Sequence, residues 1–138
     1  MSSAATFNNI AKKQGVKMLS HHGDEEKGIL SYMELTDLDF LPRRMYYISH
    51  VPKGEVRGKH GHYEDQQYLF CLQGEIKVDF FSKEGESSVV LKPGDTAFLD
   101  RMVWSQQEYI TGNEIMLVLC SRQFDQGDYF YEKEEAYK

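Results

Sequence analysis

The chain has 138 residues, of which 41% are hydrophobic and 13% aromatic, enough for one ordinary globular domain with its own buried core. Its formal net charge of -6 argues against a general nucleic-acid-binding protein, which would present a basic face. The first residues lack the apolar core of a signal peptide, and no later run approaches membrane-spanning length. We therefore expect a single domain over residues 1–138 that binds neither nucleic acid nor membrane.

Glycine and proline punctuate a series of short β-rich runs along the chain. The predicted strands are 15–19, 29–34, 44–51, 56–62, 67–72, 75–81, 87–91, 96–99, 103–109 and 114–121. The charged segment 21–28 is predicted to be a turn, and only residues 125–138 can carry a turn or two of helix. Many short strands in a small domain indicate an all-β antiparallel sandwich or barrel. A jelly roll, whose mouth is a natural ligand cavity, is the form we expect.

Apolar runs and cysteines indicate where the protein resides and how it assembles. Cys71 and Cys120 each lie in an apolar run, far apart in sequence, and are expected to be reduced core thiols of a cytoplasmic protein. The run "EIMLVLC", residues 114–120, is apolar continuously rather than alternately, which suits a strand buried on both faces. One of those faces can belong to a subunit interface, so a homodimer is the expected assembly.

Two histidines, His60 and His62, stand one residue apart in the predicted strand 56–62. Residues two apart in a strand point the same way, so the two imidazoles should share a face. Gly58 and Gly61 leave room beside them for a ligand or another backbone. The pair is compatible with half of a metal site, with two buried structural histidines, or with two imidazoles that exchange protons in a pocket.

The glycines and histidines around this pair follow a wider pattern. Its first part consists of Gly54, His60, His62, Gln67 and Gly74, and its second part begins at Gly94-Asp95 and includes Ser105. This resembles the two motifs of the cupin superfamily, in which the Gln67 position is commonly Glu and the Ser105 position is usually a metal-binding His. A catalytic metal needs about three or four protein ligands, typically His or carboxylate. With two of them replaced, we expect no metal site and favour proton exchange by the two histidines.

The match extends beyond the cupin motifs. The further matching residues are Gly28, Leu30, Glu34, Phe40, Arg44, Tyr46, Tyr47, Ile48, Arg57, Gly58, His60 and His62, with Trp104, Asp128 and Tyr129 downstream. Together they resemble the sugar 3,4-ketoisomerases that act on dTDP-4-keto-6-deoxyglucose, over roughly residues 24–131. The family usually reads Trp-His-Glu at 104–106 and commonly Glu-Gln at 66–67, so the sugar or the reaction can differ here. The resemblance implies a single cupin jelly-roll barrel.

The resemblance also implies a reaction and its catalysts. A ketoisomerase moves the keto group from C4 to C3 through an enediol, here in the biosynthesis of an aminated deoxysugar. It needs no cofactor, because the carbonyl acidifies the neighbouring C–H and acid–base groups suffice. His60 is expected to be the base at carbon, and His62 to move protons between the oxygens or to orient the sugar. Tyr46, which shares a strand face with Arg44, is expected to donate a hydrogen bond to the enolate oxygen, although a core aromatic is the alternative.

The implied partner is a dTDP-linked keto-deoxysugar. Arg44 and Arg57 are candidates for its pyrophosphate, because guanidinium groups match phosphate oxygens. Gln67 and Trp104 complete the predicted substrate-binding set, although Trp104 is expected to pack in the core rather than to stack on thymine. A non-catalytic nucleotide-sugar-binding cupin and a nucleotide-sugar epimerase remain alternatives, and a metal-dependent dioxygenase is disfavoured by the ligand count. The sequence leaves open which C4 epimer forms and which nucleotide is bound.

Overall fold

The computed structural model describes residues 19–138, and most of that range is β-structure. The strands are β1 (Ser20–Asp24), β2 (Gly28–Tyr32), β3 (Arg44–Ser49), β4 (Val56–His62), β5 (Gln67–Gln73), β6 (Ile76–Ser82), β7 (Gly85–Leu91), β8 (Thr96–Leu99), β9 (Trp104–Tyr109), β10 (Ile115–Cys120) and β11 (Tyr129–Phe130). Short 3-10 turns cover Leu35–Asp37, Gln126–Asp128 and Lys133–Tyr137. In this described part of the chain, no helix is long and apolar enough to span a bilayer.

The strands form three antiparallel sheets. β1 and β2 make a hairpin, the order β3-β10-β5-β8 makes a four-stranded sheet, and the order β11-β4-β9-β6-β7 makes a five-stranded sheet. The two larger sheets share the main apolar core. The prediction of an all-β, cupin-like jelly roll is confirmed.

Side-chain alternation explains the main core between the two larger sheets. In β6, Ile76, Val78 and Phe80 are fully buried while the residues between them are partly exposed. Met116 and Val118 of β10 reach the same core from the opposite sheet. Each such side chain contributes about 1.5–3 kcal/mol of burial free energy. The core therefore holds the two sheets together on either side of the space between them.

A second apolar layer covers the outer face of the four-stranded sheet. Tyr68, Phe98 and Leu119 point outward from their strands, and Leu38 and Phe40, which follow the hairpin, pack on them. This layer explains why the run in β10 is continuously apolar: one face of that strand meets the main core and the other meets the chain's own segment before β3. The outer face of β10 thus needs no subunit interface to be covered.

Three predicted elements differ from the structure. Of the predicted strand 15–19, residues 15–18 lie outside the described residues, and Leu19 is not in a strand. The predicted turn over 21–28 is wrong, because residues 20–24 form β1 and only 25–27 turn, with the Asp24 carboxylate accepting the N–H groups of Glu26 and Lys27. Pairing with β2 has overridden the turn-forming composition of this stretch. Near the C-terminus, 3-10 turns occupy the region predicted to be helical, and the two-residue strand β11 is additional.

Candidate active site

A cavity of about 180 Å³ lies between the two larger sheets. Five residues that the sequence predicts to act in the site line it together: Arg44, Tyr46, Arg57, His60 and Gln67. Ser105, Gln107 and Tyr129 add further polar groups to the lining, and aliphatic side chains close the rest. The sequence-predicted site residues thus converge from β3, β4 and β5, although His62 and Trp104 are not part of the lining.

A β-bulge in β4 aims both Arg57 and His60 into the cavity. Arg57 pairs with Gln107 and His60 pairs with Ser105, so the register shifts by one residue between them. The extra residue is Lys59, which has φ of +60°, a left-handed conformation that is unusual for a residue other than glycine. Without the bulge, two residues three positions apart would point to opposite faces of the sheet.

The imidazole of His60 is held as a neutral base. Its Nδ1 lies 3.0 Å from the carbonyl oxygen of Gly58. A carbonyl oxygen can only accept, so Nδ1 carries the proton and Nε2 is the basic nitrogen. Burial lowers the pKa of His60 below its ordinary value, against the hydrogen bond to Gly58, which raises it. At neutral pH the ring is therefore uncharged and ready to accept a proton.

His62 shares the face of His60 but lies deeper, with only 3% of its surface exposed. The two rings meet edge to face, with centroids 5.1 Å apart. Burial lowers the pKa of His62, and the nearby His60 lowers it further, while Asp65 and Asp128 act in the opposite direction. The face-sharing that the strand period predicts is present, and His62 occupies the second layer of the site.

Gln67 stands where a cupin commonly has a carboxylate, and its amide is tied to other residues. Its Nε2 donates to the carboxylate of Asp65 at 3.1 Å and lies 3.5 Å from Nε2 of His62. Asp65 in turn accepts from the hydroxyl of Ser121 at 2.8 Å. Among residues 19–138, no group of three or more His, Cys, Asp or Glu side chains is arranged to hold a metal ion.

Arg44, Tyr46 and Tyr129 form an aromatic and cationic wall of the cavity. The Arg44 guanidinium lies over the Tyr46 ring, 4.8 Å from its centroid, and Tyr129 acts to raise the pKa of Arg44. Burial raises the pKa of Tyr46, and Cys120 and Tyr129 add to the effect. The Tyr46 phenol therefore stays protonated and can donate a hydrogen bond into the cavity.

Trp104 does not reach the cavity. It packs in a separate cluster with Phe81, Phe130 and Ala136, and its indole N–H donates to the carbonyl of Tyr131 at 2.9 Å. Side chains alternate along β9, so when Ser105 faces the cavity its neighbour must face away. This position does not fit the substrate-binding role that the sequence predicts for Trp104.

Two residues of the C-terminal segment belong to the site without having been predicted as site residues. The Tyr129 ring packs against both imidazoles, with centroid distances of 4.8 Å to His60 and 4.3 Å to His62. The Asp128 carboxylate, 7% exposed, lies beside His62. The family resemblance includes both positions, but the intervening 65 residues of chain leave no local pattern that would place them here.

Comparisons with known proteins fit this geometry. Residues 12–138 match the family model described as "FdtA: WxcM-like, C-terminal". The TDP-4-oxo-6-deoxy-alpha-D-glucose-3,4-oxoisomerase of Aneurinibacillus thermoaerophilus is 27% identical over 107 residues, which make up 77% of this chain and 77% of that protein.

Solved structures show the same fold. A histidine-to-asparagine mutant of the 3,4-ketoisomerase QdtA from Thermoanaerobacterium thermosaccharolyticum, in complex with TDP-4-keto-6-deoxyglucose, matches with a TM-score of 0.78 and 27% identity, covering 87% of this chain and 88% of that one. A 3,4-ketoisomerase from Helicobacter canadensis matches with a TM-score of 0.77 and 23% identity, covering 87% of this chain and 91% of that one.

Proposed function

The chain belongs to the FdtA family (WxcM-like, C-terminal) and is a sugar-nucleotide 3,4-ketoisomerase, and we propose that it moves the keto group of a dTDP-4-keto-6-deoxyhexose from C4 to C3 by histidine-mediated proton transfer. The observation that carries this mechanism is the state of His60. Its Nδ1–H is fixed by Gly58, its burial keeps the ring neutral, and the ring lines a small cavity. The substrate class follows from the relatives, which act on or bind TDP-linked 4-keto-6-deoxyglucose.

The first step is removal of the proton at C3. The adjacent C4 carbonyl acidifies this C–H bond, and Nε2 of His60 takes the proton while the bonding electrons form the C3–C4 double bond. The former carbonyl oxygen becomes an enolate oxygen, which Tyr46 stabilises by donating a hydrogen bond from its protonated phenol. No electron leaves the sugar, so the step needs no oxidant.

The second step moves protons until the ketone stands at C3. The enolate oxygen at C4 is protonated to give the enediol, the hydroxyl at C3 loses its proton, and C4 receives one. His62 is the other imidazole of the site. Its ring contacts His60 but lies outside the cavity lining, so it takes part in the transfer between the oxygens through His60 and not by touching the sugar. The ring face of C4 that receives the proton decides the epimer formed.

Arg57 is suited to the diphosphate of the substrate. At about 180 Å³ the cavity is smaller than the roughly 300–1,000 Å³ that encloses a drug-sized ligand. The cavity is therefore too small for the whole nucleotide sugar, and we place the sugar ring in it, beside His60 and Tyr46, with the nucleotide outside. Arg57 lines this cavity, is itself exposed, and forms no ion pair with the described residues, so its guanidinium is available for phosphate oxygens. Arg44, stacked against Tyr46, is more deeply placed and is suited to the sugar end.

Incubation with dTDP-4-keto-6-deoxyglucose in deuterated water tests the function directly. We expect deuterium at a ring carbon together with migration of the carbonyl from C4 to C3, followed by NMR of the sugar. Deuterium incorporation with the carbonyl still at C4 would instead indicate an epimerase. If the protein binds the substrate but does not convert it, the protein is a non-catalytic nucleotide-sugar-binding cupin, and the proposal is refuted.

We further propose that the protein is a homodimer, and the hairpin of β1 and β2 supports this. All ten residues of its two strands are exposed, including Ile29, Leu30 and Tyr32 at 57%, 61% and 45%. A lone two-stranded hairpin is marginally stable in water, so it needs a surface to pack on. Met45 and Tyr47 of the edge strand β3 are 62% and 64% exposed and offer such a surface on a second copy.

Sedimentation velocity tests this assembly. The unmodified protein should sediment as a dimer, and Leu30→Glu or Tyr47→Glu should shift it toward monomer, because each places a charge in the apolar contact. A monomeric wild-type protein at micromolar concentration would contradict the assembly without affecting the catalytic proposal.

We also propose a pathway and a compartment. A 3-keto group is the functional group with which an aminotransferase condenses, so we propose that the product feeds the synthesis of a 3-amino deoxysugar. Cys71 and Cys120 are both free and buried, as expected for a protein that functions in the reducing cytoplasm.

A further inference from the structure

The C-terminal segment carries a buried carboxylate that the mechanism above does not use. Asp128, 7% exposed, ends the 3-10 turn Gln126–Asp128. Its Oδ1 accepts the backbone N–H of Glu64 at 2.8 Å, and its Oδ2 accepts that of Asp65 at 3.0 Å. Among the described residues its ion-pair partner is His62 alone, since no lysine or arginine lies within ion-pair distance of it. Burying a carboxylate removes its hydration, which costs free energy unless hydrogen bonds and a nearby positive charge compensate for it.

The hydrogen bonds around Gln67 determine the tautomer of His62. The Gln67 amide nitrogen donates to the Asp65 carboxylate at 3.1 Å, and because a carboxylate only accepts, this contact fixes which end of the amide is the nitrogen. The same nitrogen faces Nε2 of His62 at 3.5 Å, which is long for a hydrogen bond, but an N–H on Nε2 would point at another donor, so an unprotonated Nε2 is the favoured arrangement. The proton of the neutral ring then sits on Nδ1, the atom that lies 3.4 Å from Oδ2 of Asp128.

The contact between Nδ1 and Asp128 is not yet a good hydrogen bond. A distance of 3.4 Å is longer than the usual limit of about 3.2 Å for N–H···O, and Nδ1 is buried without another partner. Catalytic hydrogen bonds are often long in the empty enzyme and shorten when substrate binds. Nδ1 of His62, buried without a partner beside the Asp128 carboxylate, is an example of such a long hydrogen bond.

We propose that Asp128 is a positioning residue for His62: it holds the proton on Nδ1, leaves Nε2 as the unprotonated nitrogen, and stabilises the imidazolium that forms when His62 accepts a proton. This inference rests on the proposed ketoisomerase function and assigns a task to the C-terminal segment within it. Asp128 does not line the cavity and therefore does not touch substrate. Its effect on the reaction passes through His62, while its hydrogen bonds to the N–H groups of Glu64 and Asp65 hold the carboxylate in place.

The surroundings of His62 show why a counter-charge is needed. Burial and the neighbouring His60 lower the pKa of His62, whereas Asp65 and Asp128 raise it. Tyr129 packs on the ring with its centroid 4.3 Å away, and Gln67 is a neutral amide. Cys120 lies behind Gln67 with its pKa raised to about 12 by burial, so it too is neutral. Asp65 and Asp128 both supply negative charge, and Asp128 is the one whose carboxylate lies against the ring, with Oδ2 3.4 Å from Nδ1.

The test combines kinetics with ¹⁵N NMR of the histidine rings on the full-length protein. In Asp128→Asn we expect kcat to fall about 100-fold, near the lower end of what acid–base catalysis contributes, with KM changed by less than about two-fold. Wild-type His62 should show a protonated Nδ1 and an unprotonated Nε2. In the variant this preference should weaken, and the His62 pKa should fall further. Asp79→Asn is the matched control, since it alters a carboxylate that accepts two side-chain hydrogen bonds on the outer face of the sheet.

Several results would overturn the proposal. An Nε2-protonated His62 in the wild-type protein would do so, and this measurement stands even if Asp128→Asn fails to fold. So would a folded Asp128→Asn variant with unchanged kcat, or one with reduced kcat but an unchanged tautomer and pKa, since that pattern indicates a purely structural role. If the wild-type protein shows no isomerisation, the proposed function fails, while the NMR result still decides the contact between Asp128 and His62.

Discussion

Arg57 and His60 face the same cavity although three positions separate them on one strand, because the bulge at Lys59 adds a residue between them. The bulge thus places Arg57, a candidate phosphate-binding group, and His60, a candidate base, side by side in the wall of the cavity. It depends on Lys59 holding a left-handed backbone conformation, with φ of +60°.

Substitutions at Lys59 should therefore reveal the strain in this bulge. Lys59→Gly is expected to stabilise the fold by up to about 1 kcal/mol, because glycine adopts positive φ without a steric cost. Lys59→Val should destabilise it by about 1–2 kcal/mol, since a β-branched residue is poorly suited to that region. Urea unfolding measures both. Lys77→Val, in ordinary extended backbone of β6, is the control and should change stability by less than about 0.5 kcal/mol. Equal effects at the two lysines would contradict the bulge's role.

Replacement of His60 should separate catalysis from binding. His60→Asn is expected to abolish detectable isomerisation, because the amide cannot accept the C3 proton, while TDP binding stays largely intact. Isothermal titration with TDP and NMR of the sugar product measure the two properties. His50→Asn, at an exposed histidine after β3, provides the control and should retain turnover. Comparable turnover in the two variants would remove His60 from the mechanism.

The pH dependence of the reaction should report the environment of His60. Burial lowers its pKa below the ordinary value of 6.5, and the base works only when unprotonated. His60 should therefore stay unprotonated at lower pH than a free imidazole does. The acidic limb of the pH profile of kcat/KM should accordingly have its midpoint below pH 6.5. A profile measured between pH 4.5 and 8 checks this. A midpoint at or above 6.5 would show that the base is not the buried His60.

Much of the site was predictable from sequence, and the failures have local physical causes. The strand period correctly places His60 and His62 on one face, and Arg44 and Tyr46 on another that meets it. The same period turns Trp104 away from the cavity once Ser105 is assigned to it, which agrees with the core position expected as the alternative for this residue. Gly58, with φ of +91°, stands directly before Lys59 and is the signal that could have marked the bulge, whereas β11 is too short to show a period.

Arg57 and Trp104 offer a direct test of where the nucleotide binds. Arg57→Ala is expected to weaken TDP binding by about 10-fold or more, in keeping with the 1.5–3 kcal/mol or so of a charged hydrogen bond. Trp104→Phe should leave TDP binding unchanged while lowering stability, since the indole packs among Phe81, Phe130 and Ala136 and donates to Tyr131. Titration calorimetry gives both affinities. Weaker binding in Trp104→Phe alone would restore the sequence-based assignment.

Because of Glu114, the free energy of unfolding should depend on pH in the acidic range. Its side chain is fully buried and accepts the backbone N–H groups of Glu75, Thr111 and Gly112. Burial alone would raise the pKa of Glu114, but the Thr111 hydroxyl and these N–H groups bring it down to about 2 from the ordinary 4.5. The carboxylate therefore contributes its full stabilisation above about pH 4.5, and that contribution is lost as the pH falls toward 2.

Glu114→Gln should remove this dependence. At pH 7 the variant is expected to be less stable by about 1–3 kcal/mol, because a neutral amide leaves buried donors poorly satisfied, and its deficit should shrink as the pH falls from 4.5 toward 2. Urea unfolding at pH 7, 4 and 3 measures the difference. Glu84→Gln, at an exposed turn, is the matched control and should follow the wild type throughout. A deficit that is the same at pH 7 and pH 3 would mean that Glu114 stabilises the turn by packing and not as a carboxylate.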